Sequence, residues 1–126
     1  MEKVLGIGGV FFKARDPEAL AAWYREHLGV PIGQQQTFGA FTSASAGDQA
    51  VWSVFPEDTT YFGSGGGAFM VNYRVRNLGA MLAQLRAAGV QVAEQVEDSD
   101  FGRFGWAIDP EGNRFELWEP PSREHE

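Results

Sequence analysis

The chain has 126 residues, 44% of them hydrophobic and 21% charged, with a formal charge of −7 and no cysteine. That length suits one domain with a single core, and the missing cysteine excludes disulfides, thiol nucleophiles, zinc ribbons and iron–sulfur clusters. Acidity with only ten scattered Lys and Arg residues argues against a nucleic-acid or anionic-membrane partner. No apolar run approaches the ~20 residues that span a bilayer. The opening stretch lacks a basic segment followed by a long apolar one, so a cytoplasmic location is expected.

Leu5–Lys13 predicts a first strand, followed by a helix from Asp16-Pro17-Glu18 to Gly29. Asp16 is a good N-cap, Pro17 suits the first helical position, and Gly29 accepts the left-handed conformation that ends a helix. Leu20, Trp23, Tyr24 and Leu28 form its apolar stripe. Val30 to about Gln35 and Phe38–Thr42 predict two short strands, Ser43–Asp48 a turn, and Ala50–Phe55 a strand stopped by Pro56. Glu57–Gly67 predicts a loop carrying Tyr61 and Phe62, whose glycines suit either a movable lid or a flexible connector between the halves.

A second strand–helix pair follows: Phe69–Val75, then a helix capped by Asn77, lined by Leu78, Leu82 and Leu85 and ended by Gly89. Val90–Val96 predicts a strand, and Glu94, Glu97, Asp98 and Asp100 a solvated acidic loop. The chain closes on a hairpin, Phe104–Ile108 and Arg114–Trp118, turned by Asp109-Pro-Glu-Gly-Asn113. Alternation puts Phe115 and Leu117 on one face of the last strand and Arg114, Glu116 and Trp118 on the other.

The two halves match: strand, Asp or Asn cap, helix, Gly-Val, then three strands ending in an aromatic, Phe55 or Trp118. A repeat of this kind predicts two copies of one β-α-β-β-β unit, and neither copy alone can bury the face of its sheet.

These features, with Gly105-Trp-Ala-Ile-Asp-Pro-Glu-Gly-Asn-Arg-Phe-Glu-Leu-Trp118, resemble the vicinal oxygen chelate superfamily of glyoxalases, bleomycin-resistance proteins and extradiol dioxygenases. The resemblance implies an α+β fold: two tandem β-α-β-β-β units forming an open, cupped mixed β-sheet with helices on the outer face. It implies one domain over residues 1–120, with repeats at about 5–56 and 68–120 and a polar tail at 121–126. A homodimer is also implied. Catalytic members hold a divalent metal on four strand positions, which fall here on Gly9, Ser53, Met70 and Glu116. Gly9 and Met70 each precede a helix cap by seven residues. Glycine has no ligating atom, a serine hydroxyl is a poor ligand, and a thioether suits soft Cu(I). The two histidines, His27 near a helix end and His125 in the tail, offer no replacement. No cofactor is expected, and no divalent metal.

With these positions as register marks, the cupped face carries Phe11, Phe55, Met70, Asn72, Arg74, Glu116 and Trp118, with Tyr61 from the loop. An aromatic cup with a few polar groups suits a small organic ligand. Glu116, buried there, needs a partner, and Asn72 or Arg74 is placed to supply it. By alternation Trp52 belongs instead to the helix side. The first function expected is therefore metal-free binding of a small organic molecule, cationic compounds suiting the acidic chain. The alternative is a lyase, isomerase or dioxygenase-type enzyme using an atypical metal site or Glu116 as acid or base. A third is an interaction module whose cup is filled by side chains. Gly63–Gly67 lacks the Lys of a phosphate loop, and no nucleophile elbow occurs.

Overall fold

In the computed structural model, which describes residues 1–42, 49–63 and 67–121, ten elements follow in order. They are β1 (Val4–Ala14), α1 (Pro17–Leu28), β2 (Phe38–Thr42), β3 (Gln49–Pro56), β4 (Phe69–Val75), α2 (Leu78–Ala87), β5 (Gln91–Val92), β6 (Glu97–Ser99), β7 (Gly102–Ile108) and β8 (Arg114–Glu119). The expected turn at residues 43–48, the middle of the glycine run and most of the tail lie outside the described residues. Parallel and antiparallel pairs coexist, so the eight strands and two helices give an α+β fold with an open mixed sheet. The chain divides into two compact units, Gly8–Val71 and Met1–Ile7 with Asn72–Glu126.

In the Gly8–Val71 unit, β1 pairs with β3 in parallel, from Gly9↔Val51 to Ala14↔Pro56, and β2 pairs with β3 antiparallel. Helix α1 makes the parallel crossover, which two neighbouring parallel strands require. Asp16 caps it by accepting the Ala19 N–H at 3.1 Å, and Gly29 ends it at φ 71°. The helix side of the sheet is sealed by Phe12, Tyr24 and Trp52, whose ring centroids lie 4.9–5.9 Å apart. Ala21, Val30 and Ile32 complete that core. Trp52 thus packs on the helix side, as alternation predicts.

The second unit repeats the plan. Strand β4 pairs with β8 in parallel and β7 with β8 antiparallel, while β5 and β6 each pair antiparallel with β7. Asn77 caps α2 by accepting the Ala80 N–H at 2.9 Å. Val75, Leu78, Met81, Leu82 and Leu117 form the core, each no more than 5% exposed. Gly105 sits directly under the helix, where a Cβ would lie 3.2 Å from a Leu82 methyl. The missing side chain lets α2 settle on the sheet.

Three expected segments differ. No strand spans Val30–Gln35; only an isolated Ile32↔Gly39 bridge remains. Pro31 has no N–H to give a ladder, and Gly39 approaches the Pro31 carbonyl so closely that no Cβ would fit. The Val90–Val96 strand contracts to Gln91–Val92. The acidic loop contains β6, where Asp98 pairs with Arg103 at 2.8 Å.

The β7–β8 turn is built on Asp109. Its carboxylate accepts from the Asn113 side chain at 3.0 Å and from the Asn113 and Glu111 backbone N–H groups, both at 2.9 Å. The Asn113 side chain first, then these backbone donors, hold the Asp109 pKa below its ordinary 3.8. A carboxylate with a depressed folded pKa contributes stability above that value and loses it as pH falls further. An NMR titration should therefore place Asp109 below 3.8, the group's ordinary value. For the core, Leu82→Ala should cost about 2–5 kcal/mol in urea unfolding; a change under about 1 kcal/mol would contradict the packing described.

Candidate functional site

The parallel β4–β8 pair sets Asn72 beside Glu116, and the antiparallel β7–β8 pair sets Trp106 on its other side. Register partners share a face, so the three form one row across three strands. Glu116 is fully buried, Asn72 is 2% exposed and Trp106 3%. Asn72 Nδ2 donates to Glu116 Oε1 at 2.6 Å, and Trp106 Nε1 donates to Oε2 at 2.9 Å. An indole N–H can only donate, so Trp106 makes Glu116 Oε2 an acceptor. Each carboxylate oxygen therefore already accepts a side-chain hydrogen bond. Below this row the Arg114 guanidinium lies 5.2 Å from the Trp106 ring centre.

The next row holds Arg74, Trp118 and Phe104. Trp118 stacks on Phe104, with centroids 6.0 Å apart and planes 2° from parallel, and donates to the Phe101 carbonyl at 2.7 Å. Arg74 Nη1 donates to the Ile7 carbonyl at 2.9 Å and fills the space left by Gly6, where a Cβ would lie 2.7 Å from its guanidinium.

In the other unit the row equivalent to Asn72–Glu116–Trp106 is Phe11–Ser53–Phe38. Phe11, Phe55 and Tyr61 come together there. Phe55 and Tyr61 stack at 5.3 Å with planes 9° apart, and Phe11 approaches them at 5.6 and 6.4 Å. Phe62 is 1% exposed and packs edge-on against Phe55 at 5.3 Å, while Lys13 Nζ lies 5.3 Å over its ring. The segment expected as a lid is therefore pinned by aromatic contacts at Tyr61 and Phe62. Met70 is buried at 2% exposure.

Of the residues singled out from sequence, the structure joins Asn72 with Glu116, Arg74 with Trp118, and Phe11 with Phe55 and Tyr61. Trp106 was missed as a partner of Glu116. Counting outward from the turn, where Ile108 faces Arg114, would have found it. A separate open depression of ≈ 1020 Å³ beside the start of α1 is lined by Lys13, Arg15, Asp16, Trp23, Tyr24 and Glu57, among others. It shares no residue with the Glu116 network and carries both signs of charge, so we assign it no role.

With this geometry in view, the comparisons identify the chain's class. A glyoxalase-like domain matches residues 9–118, and the chain belongs to that family. Among curated proteins, none matches. A methylmalonyl-CoA epimerase from Mycobacterium tuberculosis is similar over 95% of this chain and 91% of its own, at 21% identity and TM-score 0.65. A substituted Streptomyces coelicolor methylmalonyl-CoA epimerase in complex with 2-nitronate-propionyl-CoA is similar over 95% and 100%, at 15% identity and TM-score 0.72. A Mn(II)-bound glyoxalase from Novosphingobium aromaticivorans is similar over 94% of this chain but 40% of its own, at 19% identity and TM-score 0.61. Identities this low establish the fold and leave the reaction open.

The residues here do not fit a glyoxalase-type divalent metal. Gly9 cannot simply be a ligand position that lost its side chain, because a Cβ there would lie 2.7 Å from the Val51 carbonyl oxygen. Ser53 and Met70 offer a hydroxyl and a thioether, a poor set for Zn, Ni or Fe(II). Among the described residues no cluster of three or more His, Asp or Glu side chains is placed to hold a metal ion.

Two substitutions test this geometry. Gly9→Ala should lower stability by about 1–3 kcal/mol, as overpacking does; an unchanged urea midpoint would show that β1 and β3 are not so closely joined. Trp106→Phe removes one donor from a buried carboxyl and should cost about 1–3 kcal/mol in the same assay.

Proposed function

We propose that this protein binds a small organic molecule without the superfamily's divalent metal. The observation that carries the reading is the state of Glu116: fully buried, with Asn72 and Trp106 each donating to one of its oxygens. A carboxylate engaged in this way is a structural acceptor inside the protein. Recruiting it to a metal, or to proton transfer with a substrate, would require giving up hydrogen bonds in a buried setting, where each unmet partner costs about 1–3 kcal/mol. This weighs against the acid–base alternative as well as the atypical metal.

The aromatic residues supply the affinity. Phe55 and Tyr61, stacked in the Gly8–Val71 unit and only partly buried, are the rings placed to meet the ligand. Ring faces attract cations, as Lys13 over Phe62 already illustrates. With a net charge of −7, the chain favours a cationic or neutral aromatic ligand over an anionic one.

Metal analysis of protein purified without chelator should find no stoichiometric Ni, Zn, Fe or Mn. Calorimetry against a panel of cationic aromatic compounds should find ligands tighter than ~1 mM, and Tyr61→Ala should weaken them by roughly threefold to tenfold, the scale of one aromatic contact. Stoichiometric metal, or no ligand within that range, would overturn the proposal.

A further inference from the structure

One polar atom beside Glu116 has no hydrogen-bond partner among the described residues. Asn72 is 2% exposed, yet its Oδ1 makes no hydrogen bond among the described residues. A buried acceptor left unmet is costly, and in a native protein it calls for a specific explanation, such as a functional role, a water or an ion. The neighbouring Arg114 Nε, also buried, likewise lacks an acceptor among the described residues.

The direction in which Asn72 presents its amide follows from its neighbours. The Trp106 indole can only donate, so it holds one oxygen of Glu116. The other oxygen accepts from Asn72, whose Nδ2 faces the carboxyl and whose Oδ1 faces away from it. Glu116 therefore decides which end of the Asn72 amide is left over.

We propose that Asn72 is the specificity-determining residue of this site, its Oδ1 held by Glu116 to accept a hydrogen bond from a ligand hydroxyl or amine. This rests on the small-molecule reading above and narrows it to ligands that place an O–H or N–H donor at this point. An internal water would satisfy the same atom, and the test separates the two sources. Glu116 acts as a positioning residue, through Asn72. Its amide counterpart should then reverse the polarity of the site. In Glu116→Gln, Trp106 would still claim the side-chain oxygen, leaving Gln Nε2 to face Asn72. Asn72 would turn its Oδ1 inward to accept that bond and present Nδ2, a donor, in its place.

The probes are 1-phenylethanol and acetophenone, which share a ring and a carbon skeleton and differ in a donating hydroxyl against an acceptor-only carbonyl. Protein-observed NMR titration should give the wild type about a tenfold preference for the alcohol, and Glu116→Gln a preference for the ketone, the scale set by one unmet buried partner. Through-hydrogen-bond NMR couplings read the amide directly. They should link Asn72 Nδ2 to the Glu116 carboxyl carbon in the wild type, and the Gln Nε2 to the Asn72 carbonyl carbon in the variant. If Glu116→Gln does not fold, Asn72→Leu should bring the alcohol-to-ketone ratio close to one. The same preference in both proteins, or couplings that do not reverse, would overturn the assignment of Asn72. Reversed couplings with an alcohol-to-ketone ratio near one in the wild type would mean that only water uses Oδ1, which also overturns it. If neither fragment binds either protein, the binding reading itself falls, and the role of Asn72 toward a ligand falls with it.

Discussion

A carboxylate buried among strands is the constraint on which the rest of this site depends. Removing Glu116 from water costs several kcal/mol unless its oxygens are matched, and the match comes from two different strands. Asn72 arrives by the parallel β4–β8 register and Trp106 by the antiparallel β7–β8 register. A slip of one residue in either pairing would turn the donor to the opposite face and leave Glu116 unmet. The network thus ties β4, β7 and β8 into one register while α2 packs on the other face through Leu78, Leu82 and Leu117.

The duplicated plan makes the chemistry of that row plainer by contrast. Both units place a parallel pair beside an antiparallel one, and both set a three-residue row at the same point. One row reads Phe11–Ser53–Phe38, the other Asn72–Glu116–Trp106. In the first, aromatic rings flank a small hydroxyl; in the second, two donors flank an acid. The adjoining rows keep a common theme of cation beside aromatic, Lys13 with Phe55 and Arg74 with Trp118. Gly9 lies under the Val51 carbonyl, so the close β1–β3 contact now depends on glycine being there.

Much of this was legible in the chain because the signals were local. Asp16, Pro17, Gly29 and Asn77 mark helix ends through backbone hydrogen bonds and dihedral limits that act within one turn. The Asp109–Asn113 turn fixes the hairpin register, and alternation then sorts Leu117 from Glu116 correctly. Failures came where a segment's state depends on distant partners. Val30–Gln35 has strand-like residues, but Pro31 and the close approach of Gly39 leave it a single bridge. Phe62 sits in a glycine-bounded loop and looks mobile in sequence, yet it is buried against Phe55. Trp106 was one aromatic among many until the register placed its indole N–H on Glu116.

The central claim is that Glu116 is held by protein donors and is not available to a metal. Proton–nitrogen NMR spectra recorded while Mn(II) is added to the chelator-free protein test it most directly. The Trp106 indole nitrogen lies 2.9 Å from the carboxylate, so a paramagnetic ion bound there would erase its signal at stoichiometric metal. The Trp106 indole resonance should stay sharp while exposed acidic residues show only weak, non-saturating broadening. Selective loss of the Trp106 signal, saturating at one equivalent, would contradict it.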